Sequence, residues 1–548
     1  MTSDAHVQVR GLSVSYRVGG RQVTAVNDLD IEFCRGAVTA VVGESGSGKS
    51  TVARAIAGIL PSNARVDAGE VLLGGQDLLR LSERQLRTIR GSRVGFVPQD
   101  PTASLNPTQR IGAQVAEAVV LHLPMRGAAL RDRVGELLAG AGLTDVKRIS
   151  RSFPHELSGG MRQRVLIAIA LAGGAELVIA DEPTSALDVT VAARVLDQLT
   201  KMVTSAGTTL VIITHDLSLA THRADRVAVL HRGAAVEAGP AAEVMARPRH
   251  EYTSQLLAST PGLRDRRQDR VRPDTSAVDG ALVRLEGVSK SFGGSRYGRA
   301  AVAALSDVSL RLLPGRTFAL IGESGSGKST TARIVLGLER ADSGTVELFG
   351  HDLADVGRHA MRELRRRVQV VYQSPFASLD PRFSVGRSIR EPLVAHRAGT
   401  RAEQLARVDE LLNLVRLPSS YARRRPAELS GGQCQRVAIA RALALSPELV
   451  VCDEPVSALD ASVQAQVLDL LREIQERSGV AYLFISHDLA VVRDIAHDVA
   501  VMQNGRIVES GGIDDIFERP TQPFTRLLLE ASLRHAGGTV EATIGSEG

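Results

Sequence analysis

The feature that most constrains this chain is a nine-residue segment that occurs twice. The sequence G-E-S-G-S-G-K-S-T fills Gly43–Thr51 and again Gly322–Thr330. It fits the pattern G-x-x-x-x-G-K-[ST], a loop whose backbone N–H groups surround the phosphates of a nucleotide. Short apolar runs, Val38–Val42 and Phe318–Ile321, precede the two copies and predict buried parallel strands. The chain is therefore predicted to contain two copies of one nucleotide-binding unit.

Each residue type in this loop has a chemical reason to be there. Glycines let the backbone turn sharply and approach anionic oxygens, the lysine reaches the β- and γ-phosphates, and the serine hydroxyl binds Mg²⁺. After the first copy, Val52, Ile56, Ile59 and Leu60 follow at helical spacing and Pro61 closes the segment, which predicts a helix there. The residues expected to bind the nucleotide are Gly43, Ser45, Gly46, Gly48, Lys49, Ser50 and Thr51 in the first copy, and Gly322, Ser324, Gly325, Gly327, Lys328, Ser329 and Thr330 in the second.

Composition places the chain among ordinary globular proteins of two or more domains. It has 548 residues, of which 44% are hydrophobic and 23% charged, with a net charge of +5. Only 3% are aromatic and none is Trp, which argues against a base-stacking surface for single-stranded nucleic acid. No apolar stretch approaches the roughly 20 residues of a membrane-spanning helix, and the first residues lack a signal-peptide layout. A cytoplasmic location is therefore expected.

Three cysteines, Cys34, Cys434 and Cys452, form no C-x-x-C pair. An odd number without paired spacing fits a reducing compartment. They are expected to be free and mostly buried.

The two halves match well beyond the repeated loop. Gln99 lies in V-P-Q-D-P-T-A-S-L-N-P, and Gln373 lies in V-Y-Q-S-P-F-A-S-L-D-P. The segment L-S-G-G-M-R-Q-R at Leu157–Arg164 corresponds to L-S-G-G-Q-C-Q-R at Leu429–Arg436. The motifs D-E-P, S-A-L-D and a histidine before D-L follow in the same order in both halves. This order indicates a tandem repeat with little insertion or deletion.

Apolar strand-like runs alternate with helical stretches in both halves. This predicts an α/β fold with two tandem domains, each a mainly parallel sheet with an inserted helical subdomain at 100–157 or 374–429. The strand-like runs are Leu177–Ala180, Leu210–Thr214, Leu449–Cys452 and Tyr482–Ser486. The predicted domains are 1–262 and 281–535. The segment 261–280 is polar and charged and has two prolines, which predicts a linker at 263–280, and residues 536–548 are expected to be a disordered tail.

An acidic pair, Asp181 and Glu182, ends one of these strands and recurs as Asp453 and Glu454. In a phosphate-loop enzyme an Asp at this position holds Mg²⁺, and the adjacent Glu can act as a general base on water. A lone acidic pair would more often simply end a strand at the surface. Because both pairs lie at the same distance before a histidine, the catalytic interpretation is favoured.

The two histidines are His215 and His487, each directly after an apolar strand. A histidine there can contact the γ-phosphate and orient the water. The L-S-G-G segments offer a serine hydroxyl and N–H groups at a helix N-terminus, which can form a second anion site. The alternative for Ser158 is a simple N-cap. The residues concerned are Ser158, Gly159, Gly160, Ser430, Gly431 and Gly432.

Taken in order, these motifs resemble the ATP-binding cassette (ABC) ATPases over nearly the whole chain, twice. The resemblance implies ATP and Mg²⁺ as ligands and a head-to-tail pairing of the halves. Lys49 would then face Ser430 and Gly432, and Lys328 would face Ser158 and Gly160, so that no second copy of the chain is needed. Four residues would be catalytic: Glu182, His215, Glu454 and His487. The metal ligands would be Ser50, Gln99, Asp181, Ser329, Gln373 and Asp453, and Tyr16 and Phe292 align with the aromatic residue that stacks on adenine.

A finer resemblance points to the ATPases of dipeptide/oligopeptide importers. It rests on the segments after the glutamines, on F-P-H-E-L-S-G-G-M-R-Q-R, and on the tails P-R-H-E-Y-T-S-Q-L-L and P-T-Q-P-F-T-R-L-L. The implied partners are two integral membrane permease subunits, docking near Gln99 and Gln373, and an extracytoplasmic substrate-binding protein, with no nucleic acid. The chain would sit peripherally at the cytoplasmic face of the membrane. Met161 and Cys434 depart from the usual Gln and Arg of the signature, but the serine and glycine donors remain.

Two alternatives stay open at this level. A soluble tandem ABC ATPase acting on ribosomes or DNA would usually carry a long charged interdomain segment or zinc-binding cysteine clusters, and this sequence has neither. Closely similar ATPases also serve importers of nickel, glutathione and other small solutes, and the sequence does not distinguish these cargoes.

Overall fold

The computed structural model describes residues 5–184, 187–259, 280–293, 302–457 and 459–536. The chain divides into two compact units, the first made mainly of residues 1–260 and the second of residues 261–532. The predicted linker 263–280 and tail 536–548 lie outside the described residues except at positions 280 and 536. Ser185, Ala186 and Ala458 of the two S-A-L-D motifs also lie outside them.

Two sheets organise the first unit. Its strands are β1 (Ala5–Val18), β2 (Arg21–Cys34), β3 (Val38–Val42), β4 (Ala64–Leu73), β5 (Gln76–Asp77), β6 (Val94–Val97), β7 (Leu177–Asp181), β8 (Thr209–Ile213), β9 (Arg226–His231) and β10 (Ala234–Pro240). One sheet is antiparallel in the order β2-β1-β4-β5, and the other has six strands in the order β10-β9-β3-β8-β7-β6. In the larger sheet β9, β3, β8, β7 and β6 pair in parallel and β10 is antiparallel. The predicted parallel core is confirmed, and the antiparallel sheet is an addition that the motifs did not predict.

Helices cover the larger sheet and form the predicted insert. The helices of the first unit are α1 (Lys49–Ile56), α2 (Glu83–Ile89), α3 (Pro101–Ser104), α4 (Ile111–Val120), α5 (Gly127–Gly140), α6 (Val146–Arg151), α7 (Gly159–Ala170), α8 (Val189–Ser205), α9 (Leu217–Arg223), α10 (Ala241–Ala246) and α11 (Glu251–Ser259). The insert consists of α3 to α6. Leu138 of α5 shares a core with Val165 of α7 and Ile212 of β8, so the insert is packed onto the sheet through α7.

Strand β3 lies at the centre of the unit and is buried on both faces. Successive side chains of a strand point to opposite faces. Val41 therefore packs into the core under the antiparallel sheet. Ala40 and Val42 pack into a different core, which contains Val244 of α10 and Leu256 of α11. The C-terminal helices of this unit are thus held directly against the strand that leads into the phosphate loop.

The helix after the phosphate loop is shorter than the sequence predicts. It ends at Ile56, because Gly58 adopts a left-handed conformation with φ 67°. The Ile59 N–H donates to the carbonyl of Arg54 at 2.8 Å, and the Gly58 N–H donates to that of Ala55 at 3.1 Å. These two bonds form a Schellman end, which closes the helix before Pro61 is reached. The helical spacing of the later apolar residues was misleading.

The second half repeats this architecture. Its strands are β11 (Val283–Phe292), β12 (Val302–Leu312), β13 (Thr317–Gly322), β14 (Ser343–Leu348), β15 (His351–Asp352), β16 (Val368–Val371), β17 (Leu449–Asp453), β18 (Ala481–Ile485), β19 (Asp498–Gln503) and β20 (Arg506–Gly512). The sheet orders are β12-β11-β14-β15 and β16-β17-β18-β13-β19-β20. They match those of the first unit strand for strand, with the larger sheet here written from its opposite edge. The helices are α12 (Lys328–Val335), α13 (Arg358–Arg367), α14 (Pro375–Ser378), α15 (Val385–Ala395), α16 (Arg401–Leu414), α17 (Gly431–Ala442), α18 (Ala461–Ser478), α19 (Leu489–Ile495), α20 (Ile513–Glu518) and α21 (Pro523–Ala536).

The three cysteines are free, as predicted. Cys434 and Cys452 are buried, and Cys34 is half-buried. Burial raises the pKa of the Cys434 thiol to about 11. This thiol is therefore chemically inert near neutral pH.

Candidate functional site

Four predicted segments meet at one edge of each six-stranded sheet. In the first unit, neighbouring strands β3, β8, β7 and β6 end respectively in the phosphate loop, His215, the pair Asp181-Glu182 and Gln99. Because these strands are parallel, their carboxyl ends lie on the same side, which is where open α/β sheets bind ligands. Strands β13, β18, β17 and β16 place the matching segments of the second unit in the same order.

The first glycine of each loop is fixed by close packing. Gly43 has φ 152°, and a Cβ added there would lie 2.2 Å from the carbonyl oxygen of Leu230. Gly322 has φ 148°, and its added Cβ would lie 2.2 Å from the carbonyl oxygen of Met502. Only glycine fits at both positions. The loop therefore begins pressed against the end of β9 or β19.

The middle of each loop is open instead. Gly46 and Gly325 have φ 82° and 78°, and an added Cβ would meet nothing within 4 Å. The neighbouring Ser45 and Ser324 are exposed. A ligand that reaches the helix N-terminus would lie over this open part of the loop, where backbone N–H groups and the helix dipole favour an anion.

The lysine of each loop is folded back onto it. Lys49 is only 5% exposed, and its Nζ donates to the carbonyl oxygens of Gly43 and Glu44, both at 2.7 Å. Lys328 makes the matching bonds to Gly322 at 2.7 Å and Glu323 at 2.8 Å. The ammonium group is thus already positioned at the loop that would hold the phosphates.

Glu182, the residue directly after β7, links two other predicted residues. Its carboxylate accepts a hydrogen bond from Nε2 of Gln99 at 2.8 Å and pairs with Nδ1 of His215 at 3.2 Å. In the second unit Glu454 makes both contacts, with Gln373 at 2.7 Å and His487 at 3.0 Å. The structure thus brings together all the residues predicted to be catalytic in each half.

Both glutamates have an unusual backbone. Glu182 has φ 47° and Glu454 has φ 48°, in the left-handed region that non-glycine residues rarely adopt. Such a conformation costs about 1–3 kcal/mol and occurs preferentially at functional sites. The N–H of Glu182 donates to the carbonyl of Ile213 at 2.9 Å, which continues the β7–β8 pairing into this turn.

The environment of each glutamate keeps it ionised. Burial by itself would raise the pKa of Glu182, but the hydrogen bond and charge of His215 outweigh burial and hold this pKa below its ordinary value. The same bond raises the pKa of His215. The pKa of Glu454 is lowered in the same way by His487, against the effect of burial. An ionised carboxylate is the form that can take a proton from water.

The aspartate before each glutamate fits a cation. Asp181 is buried, and burial raises its pKa, as it does for Asp453. The hydroxyl of Ser50 donates to Oδ1 of Asp181 at 2.9 Å. Hydroxyl, carboxylate and amide oxygens are the ligands that Mg²⁺ prefers, together with substrate phosphates. Among the described residues no group of three or more His, Cys, Asp or Glu side chains could hold a metal by itself.

The two aromatic residues occupy matching positions but differ in environment. Tyr16 pairs with Val23, and Phe292 pairs with Val302, at equivalent places in the antiparallel sheets. Tyr16 is half-buried, and its hydroxyl lies 3.1 Å from Oγ1 of Thr51. Phe292 is 42% exposed, and Nζ of Lys290 lies 5.4 Å from its ring centre. Adenine stacking remains a prediction for both rings.

The L-S-G-G segments cap helices α7 and α17. Ser158 accepts a hydrogen bond from the N–H of Met161 at 3.4 Å, as an N-cap residue does, and Ser430 does the same at 3.3 Å. A Cβ added to Gly160 would lie 2.3 Å from Val191 of α8, so this glycine is required by helix packing. Gly432 has the same relation to Val463. Ser158, Gly159 and Ser430 are exposed, and their contact with nucleotide stays a prediction.

Comparison with known families decides the class of protein. The family model described as "ABC transporter" matches residues 26–185 and 305–457. This chain belongs to the ABC transporter family. A second model, "Oligopeptide/dipeptide transporter, C-terminal region", matches residues 236–284 and 508–545. The chain is thus an ABC ATPase, which hydrolyses ATP to drive transport. No helix in the described part of the chain has the length and apolar character needed to cross a membrane.

Curated relatives match this ABC ATPase over nearly its whole length. The peptidoglycan transport ATP-binding protein YejF of Agrobacterium fabrum is 43% identical, covering 96% of both chains. The glutathione import ATP-binding protein GsiA of Pectobacterium atrosepticum is 41% identical, over 96% of this chain and 89% of the relative. The oligopeptide transport ATP-binding protein OppD of Mycobacterium bovis is 41% identical, over 96% of this chain and 98% of the relative. These relatives favour transport over the alternative of action on ribosomes or DNA.

The structure of this ABC ATPase adds residues that the motifs did not single out. Gln163 of α7 donates to the carbonyl oxygen of Pro98 at 3.4 Å, and Arg162 donates to Oγ1 of Thr102 at 3.0 Å. The signature helix is thereby tied to the residues on both sides of Gln99. The second half has Cys434 at the position of Arg162, and its Sγ donates instead to the carbonyl oxygen of Pro426 at 3.5 Å. The repeated Q-R pair of the signature was a signal for Gln163, but it does not include Arg162.

A second residue that the motifs did not single out lies in α11, the last described helix of the first half. The phenol oxygen of Tyr252 accepts a hydrogen bond at 3.1 Å from the backbone N–H of Glu44, inside the phosphate loop. The matching tails of the two halves were a signal that this segment matters, but nothing in the sequence indicated the contact.

Proposed function

We propose that this ABC ATPase is the energy-coupling subunit of an importer for di- or oligopeptides and acts at the cytoplasmic face of the membrane. The observation that carries this proposal is the match of both C-terminal segments, 236–284 and 508–545, to the oligopeptide/dipeptide transporter region. Relatives are named for oligopeptide, glutathione and peptidoglycan transport. A peptide, or a cargo containing one, is the class common to these names.

The relatives are ATP-binding subunits, so permease partners in the membrane follow from the family. We propose two permease subunits, docking near Gln99 and Gln373, and an extracytoplasmic protein that delivers the cargo. Both glutamines contact the catalytic glutamate of their half at 2.8 and 2.7 Å. A movement imposed on either glutamine segment would therefore reach the catalytic carboxylate directly.

The chemistry follows from the positions of the side chains. The phosphates of ATP would lie over the open part of the loop, and the lysine, already at the loop, would turn its ammonium group to the β- and γ-phosphates. Mg²⁺, held by Ser50, Gln99 and Asp181, would neutralise phosphate charge. Glu182 would accept the proton of the attacking water while His215 orients that water. Ser329, Gln373, Asp453, Glu454 and His487 would have the same roles in the second half.

We further propose that each ATP is completed by the signature of the other half. Lys49 would act with Ser430 and Gly432, and Lys328 with Ser158 and Gly160. Support comes from the exposure of both serines, since capping their own helices leaves them at the surface. ATP would then hold the two halves together, and hydrolysis would release them, which is the alternation that drives a permease.

This pairing can be tested by cross-linking within a single chain. With Cys34 replaced by Ser, the remaining native thiols, Cys434 and Cys452, are buried. Cysteines placed at Ser158 and Ser324 are expected to be joined by a short bis-maleimide when MgATP is present. A protease cut within residues 263–279 then leaves the halves covalently linked. The control pair, cysteines at Ser158 and Ser45, should give separate halves after the cut. If the Ser158 and Ser324 pair also gives separate halves after the cut in the presence of MgATP, the proposed pairing is refuted.

The transport role is tested by what the chain purifies with. Affinity purification of the tagged full chain from detergent-solubilised membranes is expected to recover two multi-span membrane proteins. Mass spectrometry of the ligand carried by the associated binding protein is expected to find peptides. Recovery with ribosomes or DNA, and without membrane proteins, would contradict the importer role. Recovery with permeases whose binding protein carries nickel would keep the transporter role and refute the peptide cargo.

A further inference from the structure

The C-terminal helix of the first unit touches the phosphate loop through one side chain. Tyr252 is only 8% exposed, and its phenol oxygen accepts the N–H of Glu44 at 3.1 Å. Its ring lies against His231, with ring centres 3.9 Å apart and planes inclined at 38°. Its own N–H donates to Nδ1 of His250 at 3.1 Å. The phenol is therefore held in place from both the ring side and the backbone side.

The helix that carries Tyr252 is itself tied to the sheet. Glu237 of β10 accepts hydrogen bonds from the N–H groups of Arg249 at 2.9 Å and His250 at 3.1 Å. The second half makes the same connection. There Glu509 of β20 accepts the N–H groups of Thr521 at 2.7 Å and Gln522 at 3.2 Å. Both halves thus hold this segment at the same place, and any difference between them lies in the side chain that it presents.

The contact falls at the base of the loop and leaves its open part to the ligand. The N–H of Glu44 is bound to Tyr252, and its carbonyl accepts Nζ of Lys49 at 2.7 Å. Gly43 is pressed against Leu230. The strand end of the loop is thereby fixed on three sides. The open turn at Gly46 keeps its N–H groups for an anion, so the phenol does not compete with phosphate.

The second half lacks this hydroxyl. The tails P-R-H-E-Y-T and P-T-Q-P-F-T put Phe524 at the position of Tyr252. The loop residue that corresponds to Glu44 is Glu323, and His231 is matched by Gln503. Phe524 is half-buried and packs into an apolar core. A phenylalanine cannot accept a hydrogen bond, so Phe524 cannot anchor the base of the second loop as Tyr252 anchors the first.

We propose that Tyr252 is a positioning residue for the first phosphate loop, a role that Phe524 cannot take in the second half. The inference rests on the phosphate-binding role proposed above for the loops. Tyr252 acts through the Glu44 backbone and holds the first loop in the form that receives phosphate. Because a loop ordered in advance loses less entropy on binding, the bond favours ATP at the first site. Loss of one neutral hydrogen bond corresponds to about three- to tenfold in affinity.

The test uses Tyr252→Phe in the full chain, since this change keeps the ring on His231 and removes only the hydroxyl. In peptide-resolved amide exchange without nucleotide, exchange within residues 43–48 is expected to rise about three- to tenfold. Exchange within 322–327 is expected to stay unchanged. The matched control is Tyr482→Phe, which removes another buried phenol bond, from Tyr482 to the carbonyl of Leu471 at 3.0 Å. That control should leave residues 43–48 unaffected.

Affinity supplies the second readout. A non-hydrolysable ATP analogue with Mg²⁺ is titrated onto Lys328→Ala, which isolates the first site, and onto Lys49→Ala, which isolates the second. Adding Tyr252→Phe is expected to weaken the first site about three- to tenfold and to leave the second as it was. Unchanged exchange at 43–48, or an equal rise in the Tyr482→Phe control, would overturn the positioning role. If neither lysine substitution affects binding, the proposed phosphate role of the loops is wrong. The amide-exchange result then still tests whether Tyr252 positions the first loop.

Discussion

Replacing Glu182 and Glu454 together by Gln is expected to preserve ATP binding and to slow ATP hydrolysis about 10²- to 10⁴-fold, the usual contribution of a general base. Each carboxylate is kept ionised by its histidine, with pKa values below the ordinary range despite burial. Glutamine has the same size and can keep a hydrogen bond to the histidine. It cannot accept a proton from water. Phosphate release at saturating MgATP measures the loss, and equilibrium binding of labelled ATP measures what is kept.

The matched control is Glu448→Gln, which also removes a carboxylate close to β17. Glu448 pairs with Arg367 at the surface, so its replacement should leave hydrolysis within about twofold of the unmodified chain, as expected for an exposed ion pair. The single substitutions then separate the two sites, since each leaves one base in place. Near-normal turnover in the double variant would refute the assignment of both glutamates.

The proximity of the residues proposed to be catalytic was predictable because the sequence repeats them. A lone acidic pair or histidine would have carried little weight, but the same separation in both halves indicated that they act together. The structure gives the physical reason. Strands β7 and β8 are parallel neighbours, with Asp181 paired to Ile213, so the residues that follow each strand are adjacent. Glu182 and His215 therefore meet at 3.2 Å although 33 positions separate them.

Other features had no such local signal. Strands β1 and β2 pair over a long stretch, but register shifts interrupt the alternation of buried and exposed residues on which strand prediction depends. The end of α1 is set by two backbone bonds around Gly58, which override the apolar spacing beyond it. The bond from Glu44 to Tyr252 spans 208 positions, and it depends on how α11 packs under β3. Only the three-dimensional arrangement reveals such contacts.

Replacing Gly43 by Ala is expected to abolish ATP binding at the first site and to lower the free energy of unfolding of that unit by about 3–5 kcal/mol. The new Cβ would lie 2.2 Å from the carbonyl oxygen of Leu230, at a φ of 152°. A rotamer change cannot relieve an overlap with backbone. Strand β3 would have to separate from β9, which disrupts their parallel pairing and the core around Val42. Denaturant unfolding followed by circular dichroism measures the stability of the full chain.

Gly46→Ala is the matched control in the same loop. Its φ is 82°, and an added Cβ would meet nothing within 4 Å, so the cost is the left-handed backbone alone, about 1–2 kcal/mol. The difference between the two variants therefore isolates the packing of the loop base against β9. The corresponding change in the second half, Gly322→Ala, is expected to behave like Gly43→Ala, because its Cβ would lie 2.2 Å from Met502. If Gly43→Ala unfolds no more easily than Gly46→Ala and still binds ATP at the first site, close packing does not fix the base of the loop.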